Sequence, residues 1–288
     1  MKKTVSTRQV LLASVSAVAL FIASEAKSAD LPVKAAIPVK APIVASAPSW
    51  TGCYVGGHVG YGWGRNHHTQ TSSFASSGSV FNATAAGTVD TSGGLIGGQV
   101  GCNYQFASRW VAGIQGDGAW TNLRGRKQDP LDLPFGVPSG FNSIGVTTNW
   151  LTSVTGRIGV TAFDNNRALF YLKGGVAWTQ NRWDLTRSFN SVFFGLTPNI
   201  IDETKTGYTV GVGVEYRLDP HWSVFGEYNY YGFNGDKLLV SNPGAASLFA
   251  VAVGQPLTFT SNSQQIQTIK VGINYLFNLA PAPVVAKY

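Results

Sequence analysis

Residues 206–233 constrain the fold more than any other stretch. Tyr208, Val210, Val212, Val214, Tyr216 and Leu218 fall at every second position, with Thr209, Gly211, Gly213, Glu215 and Arg217 between them. After Asp219, Pro220 and His221 the alternation resumes. Trp222, Val224, Tyr228 and Tyr230 are then set against Ser223, Glu227 and Asn229. A period of two is a strand signal, and two such runs across a short turn read as a hairpin. Its faces differ in kind. One is broad, apolar and ended by aromatics; the other carries small, polar and charged groups. Such a sheet suits lipid on the apolar side and a lumen on the small, polar side.

The pattern recurs along the chain. Over 50–65, Val55, Val59, Tyr61 and Trp63 share one face and Gly56, His58, Gly60 and Gly62 the other. Further runs cover 94–106, 110–120, 149–163, 167–180 and 265–277, which makes eight strands. Short turns at 107–109, 164–166 and 219–221 alternate with long gaps at 66–93, 121–148, 181–203 and 234–264. Short turns on one rim and long loops on the other are the outer-membrane pattern, with loops extracellular and turns periplasmic. The expected fold class is therefore all-β, an eight-stranded antiparallel transmembrane up-and-down β-barrel. Trp63, Trp120, Trp150, Trp178, Tyr208 and Tyr230 fall at the loop rim. Tyr104, Phe106, Trp110, Tyr216, Trp222, Tyr275 and Phe277 fall at the turn rim. Two aromatic girdles mark two membrane interfaces.

Composition narrows the alternatives. Charged residues are 12 % of the chain, about half of what a soluble domain carries. After the N-terminus no apolar run approaches the ~20 residues of a spanning helix. The net charge of +7 is spread out, with Lys2, Lys3, Arg8 and Lys27 in the first 29 residues, and leaves no nucleic-acid footprint. Residues 1–29 have the charged start, apolar middle and small-residue end of a secretory signal, with cleavage after Ala26 or Ala29. Residues 30–49 hold Pro32, Pro38, Pro42 and Pro48 and read as a semi-extended periplasmic linker. The barrel is expected over 50–277 and a tail over 278–288.

An eight-stranded lumen is narrow enough to be filled by side chains, and buried charges must pair. Asp117, Arg157, Lys173, Glu215, Arg217, Glu227 and Lys270 all fall on inward positions, so an ion-pair network is expected there. The same residues would line a narrow porin-like channel for ions or small solutes. Cys53 and Cys102 fall outward on neighbouring strands, in a compartment that permits a disulfide. A simple hairpin register sets Cys102 opposite about Gly57, outside the ~7 Å reach of a bridge, so two free cysteines are expected. His67 and His68 open the first long gap. They are either solvated or ligands for haem iron; no other cofactor and no metal site is indicated. His58 and His221 complete the histidines, and no G-x-S-x-G is present, so no enzyme is expected. The glycine-rich runs lie in strands and are not phosphate loops.

Five stretches carry a family likeness: A-D-L-P-V-K (29–34), W-T-G-C-Y-V-G-G-H-V-G-Y-G-W-G (50–64), G-G-Q-V-G-C-N-Y-Q-F (97–106), G-I-Q-G-D-G-A-W (113–120) and G-V-G-V-E-Y-R-L (211–218). Over almost the whole mature chain the sequence resembles the rhizobial and brucella-type outer-membrane-protein family, whose members include RopB-like and haemin-binding proteins with an OmpA-like barrel. The resemblance implies a Gram-negative outer membrane, extracellular loops and periplasmic termini. It also implies a structural or surface-interaction role, with outer-membrane lipids, lipopolysaccharide and the barrel assembly machinery as partners. Lys270, Gly272, Tyr275 and Phe277 resemble the polar–Gly–hydrophobic–aromatic signal read by that machinery. The chain departs from the pattern by continuing past Phe277 through Pro281 and Pro283 to Tyr288.

Overall fold

The computed structural model describes residues 49–76, 79–128, 143–163, 166–186, 199–235, 237–240 and 257–278. The signal, all but the end of the linker, and the tail after Asn278 lie outside them. Nine strands follow in order: β1 (Gly52–Ser76), β2 (Ser79–Phe106), β3 (Trp110–Gln128), β4 (Ser143–Ala162), β5 (Ala168–Thr186), β6 (Asn199–Arg217), β7 (Trp222–Phe233), β8 (Lys237–Val240) and β9 (Leu257–Asn278). Each of β1 to β7 pairs antiparallel with the next, β7 pairs with β9, and β9 returns to β1. Eight strands thus close a ring, and β8 adds to the start of β9.

The faces are those that the alternation assigns. Ile96, Val100, Ile114, Val154, Leu172, Val210, Val212 and Val271 are exposed on the outside, while Asp117, Arg157, Lys173, Glu215 and Lys270 are buried inside. Turns fit their residues. At 219–221 the Asp219 carboxylate accepts the backbone N–H groups of His221 (2.7 Å) and Trp222 (2.8 Å), the local bonding that makes Asp a turn residue.

The long gaps are a correction. β1 and β2 run through most of 66–93 in unbroken register, from Gly52 opposite Asn103 to Ser76 opposite Ser79. β3 and β4 extend into 121–148, β5 and β6 into 181–203, and β9 into 234–264. The cause is a reversal of polarity. In these extensions Val89, Ile144, Val146, Trp183, Leu185 and Phe259 are buried inside, while Arg65, Asp90, Arg124, Arg126, Arg182 and Asp202 are exposed outside. Alternation continues, but with inward apolar and outward charged residues. Register shifts between Asn66 and His68, Trp120 and Leu123, and Thr148 and Trp150 sit near the changeover. A β-bulge there re-aims the side chains that follow.

The same continuous register corrects the cysteine expectation. Cys53 stands directly opposite Cys102, their Cα atoms 3.9 Å apart, and the two form a disulfide. A register counted from the ends of the short runs 50–65 and 94–106 was four residues wrong, because the hairpin closes at its far tip. The bridge cross-links residues 49 apart in sequence. Constraining a loop of that size in the unfolded chain contributes about 4 kcal/mol. Accordingly, native protein is expected to show no maleimide-reactive thiol, and C53S/C102S is expected to lose its fold at a lower urea concentration than wild type. A labelled thiol in the native, unreduced protein would contradict this.

The lumen as the candidate functional site

Side chains on inward positions fill the ring in layers. Nearest the short turns lie Trp50, Tyr54, Val111, Leu169, Tyr171 and Leu276. Trp50, just before β1, is fully buried. Its backbone N–H donates to Gln105 Oε1 (2.8 Å) and its indole N–H to the Asn166 carbonyl (2.8 Å), which hold it across the opening. The Arg217 guanidinium lies 4.7 Å from its ring centre, a cation–π contact.

The next layer is ionic. Lys270 Nζ donates to Asp117 Oδ1 (2.5 Å), and His58 Nε2 lies 2.8 Å from Asp117 Oδ2. Glu227 accepts from Lys173 Nζ (2.5 Å), the Tyr171 hydroxyl (2.7 Å) and Asn229 Nδ2 (3.3 Å). Arg157 Nη1 donates to Glu215 Oε2 (3.3 Å) and its Nε to Asn103 Oδ1 (2.7 Å). It stands 4.6 Å from the Tyr54 ring centre and 5.0 Å from that of Tyr171. A chain of neutral groups crosses the same level: Tyr54 donates to Gln115, Gln115 to Gln99, Gln99 to Asn274 and Asn274 to Glu215. Gly213 makes room for this layer, since a Cβ there would strike the Tyr171 ring.

Six of the seven inward charges singled out in the sequence therefore meet as three acid–base pairs. Arg217 is the exception, facing Trp50 and making no ion pair among the described residues. The sequence reading missed Trp50, Tyr54 and the Gln99–Gln115 bridge. Their signal was available in the inward parity of Tyr54, Gln99 and Gln115. Lys270 and Gly272 of the assembly-signal stretch face inward; Tyr275 and Phe277 face outward, with ring centres 5.2 Å apart.

Above the ions a second apolar layer of Leu123, Leu151, Ala177, Tyr231, Phe233 and Ile266 fills the lumen. Thr148, Asn181 and Gln264 then bond to one another. The apolar cap of Val89, Ile144, Val146, Trp183, Leu185 and Phe259 follows. His68 is packed into this cap, stacked on Phe259 at 5.3 Å and edge-on to Trp183 at 6.4 Å. His67, the next residue on the strand, faces the other way and shares a 2.9 Å hydrogen bond with Thr88 Oγ1. Successive strand residues point to opposite faces. The two imidazoles therefore lie on opposite faces of β1.

A family model for the outer membrane protein beta-barrel domain matches residues 15–277. The 31 kDa outer-membrane immunogenic protein of Brucella melitensis is 28% identical over 277 residues, 94% of this chain and 100% of that protein. The 25 kDa outer-membrane immunogenic protein of Brucella abortus is 26% identical over 268 residues, 92% of this chain and 97% of that one. Among solved structures, OprG from Pseudomonas aeruginosa is similar with a TM-score of 0.42 at 13% identity, over 79% of this chain and 97% of that chain.

Two outcomes follow from the layers. Glu227→Gln strands Lys173 in the lumen, and an uncompensated buried charge costs about 3–5 kcal/mol. E227Q is therefore expected to unfold at lower urea than K173M/E227Q; equal midpoints would show that the pair is not coupled. The second concerns His68, five residues beyond Trp63 and outside the membrane-spanning part of β1. Burial first, then Lys127 and His67, push its pKa down from the usual 6.5 to about 4. The unfolded chain takes up this proton at higher pH than the folded one, so the stabilisation falls as pH drops from about 6.5 to about 4. Protection factors of the cap amides, corrected for the intrinsic slowing of exchange as pH falls, are expected to drop over that window in wild type and to stay flat in H68F.

Proposed function

The chain belongs to the outer membrane protein beta-barrel domain family, and we propose that it acts in the outer membrane as a closed, non-conducting and non-catalytic barrel that presents rigid strand hairpins at the cell surface. The observation that carries this reading is the layered lumen. Three apolar layers alternate with the ionic and polar ones, and each interrupts any file of water or ions. Eight strands leave no spare diameter around them.

The orientation in this proposal puts the short turns in the periplasm and the extended hairpins outside, as the general pattern of such barrels favours. The names of the two Brucella relatives as immunogenic proteins suit a surface role. The histidines support a non-catalytic reading by their occupations. His58 lies against Asp117, His67 on Thr88, His68 in the cap, and His221 stacks on Tyr275 at 5.7 Å. The narrow-channel reading would use the same lumen residues, with the Lys173–Glu227 pair as its obvious gate.

Single-channel recording of the refolded barrel decides between them. Silence is expected in planar bilayers for wild type and for E227Q. Discrete openings in wild type, altered by E227Q, would replace the plugged barrel with a pore. Epitope insertion at 77–78, between β1 and β2, is expected to be detectable by antibody on intact cells. Detection only after the outer membrane is permeabilised would reverse the orientation.

A further inference from the structure

The outer face of the barrel carries a row of groups that the lumen does not use. Arg124 on β3 stands opposite Thr147 on β4, and Thr147 stands opposite Arg182 on β5. All three face outward. Both arginines are exposed, and Thr147 between them is half-buried. Two ladder spacings separate the arginines, about 10 Å between backbones. The short threonine leaves a saddle whose two sides are guanidinium groups.

The neighbouring charges set this row apart. One row further from the turns, Arg126 is paired with Asp184 at 2.9 Å across Gly145. On β1 and β2, Arg65 is paired with Asp90 at 3.5 Å. Arg124 and Arg182 form no ion pair among the described residues. Asp202 faces Arg182 across the β5–β6 ladder, so it competes for one of the two cations. Arg124 stands between Ser92 and Thr147 with no acid opposite it, so the row keeps a net positive charge.

Toward the turns, the row borders on tryptophan. Trp120 stands opposite Trp150, and Trp120 is 74% exposed. Trp at such a place marks the membrane interface. Arg124 and Thr147 lie four and three residues beyond these tryptophans, about 10 Å along the strands. That is the depth of lipid headgroups, not of acyl chains. Arginine forks suit phosphate and carboxylate because they offer two parallel N–H donors.

We propose that Arg124, Thr147 and Arg182 form a seat for an anionic group, phosphate or carboxylate, on the sugar head of outer-leaflet lipopolysaccharide, with Trp120 and Trp150 against the acyl chains below. The site rests on the orientation proposed above, which puts this rim in the outer leaflet. Charge complementarity chooses an anion. The adjoining apolar platform chooses one attached to lipid, because a free ion would gain nothing from the tryptophans.

The test follows intrinsic tryptophan fluorescence of the refolded, detergent-solubilised barrel during titration. The titrants are rough-type lipopolysaccharide, the same glycolipid stripped of its anionic head groups, and inorganic phosphate. Wild type is expected to bind intact glycolipid about tenfold more tightly than R124Q/R182Q does, the loss of two charge-assisted contacts. It is expected to discriminate against stripped glycolipid by a similar factor. R109Q/R167Q, altered at the opposite rim, is expected to bind as wild type. Both variants are surface changes, and their heat-dependent gel shift reports that the barrel is intact.

Equal affinity of wild type and R124Q/R182Q for intact glycolipid would overturn the seat. Saturation by inorganic phosphate at the same concentrations would also overturn it, in favour of a simple anion site. Sensitivity confined to R109Q/R167Q would overturn the assignment to this rim. Surface detection of the epitope at 77–78 separates the two proposals. If the tag is outside and the arginines do not matter, the seat alone fails; if the tag is inside, the orientation fails first.

Discussion

A sheet in lipid has no water to satisfy its edges, so each backbone N–H and C=O must find a partner in the sheet itself. Here that constraint is met at one seam. β9 pairs on one side with β7 and on the other with β1, where Val59 faces Val271 and Cys53 faces Phe277. Closure at eight strands fixes the diameter, and the diameter leaves a lumen that side chains must fill. The disulfide lies on the strand next to that seam, joining β1 to β2 close to where the closing strand ends. The inward charges, the aromatic layers and the small residues between them are consequences of how little room closure leaves.

The ionic layer then fixes which closure forms. Asp117 on β3 meets Lys270 on β9, Arg157 on β4 meets Glu215 on β6, and Lys173 on β5 meets Glu227 on β7. Each pair spans strands that are not ladder neighbours. A slip of one residue along any of these strands would turn a charge from the lumen into lipid, because the side-chain period is two. The apolar layers on either side keep water from the pairs and so strengthen them, while raising the cost of leaving one unmatched. The neutral chain from Tyr54 through Gln115, Gln99 and Asn274 ties Glu215 to strands that contribute no charge to its own ion pair.

Much of this was legible in the sequence, and its limits have physical causes. The hairpin 206–233, the faces of all eight ring strands and the inward charges could be read because alternation sets position and face together. Which acid met which base could not, since non-neighbouring strands approach across a lumen whose tilt and stagger no single strand encodes. The Cys53–Cys102 pairing failed for a related reason. Register is fixed at the tip of a hairpin, and the tip lies far beyond the stretch whose polarity looked like a strand. Trp50 opens the run 50–65 on its inward parity, but its place as a plug depends on bonds to Gln105 at the end of β2 and Asn166 just before β5, which the run itself does not encode.

The strand extensions hold a more general lesson about reading such chains. Between Tyr54 and Trp63 the outward residues are apolar; at Arg65 on the same outward parity they become charged, while inward His68 enters an apolar cap. The β1–β2 ladder keeps its register through that level. What changes is the solvent. Inside the bilayer the wall must be greasier than the lumen, and above it the wall must be wetter than the core. A search for apolar-outward strands therefore stops at the girdle even though the strands do not. The bulges near Asn66, Trp120 and Thr148 fall where this exchange takes place, and there Arg124 and Arg182, which form no ion pair among the described residues, stand beyond Trp120 and Trp150. A barrel that continues past the membrane with its own apolar core holds its far hairpins rigidly, which floppy loops of the same length could not do. The polarity switch thus gives the strand extensions beyond the girdle an apolar core of their own and a charged outer wall.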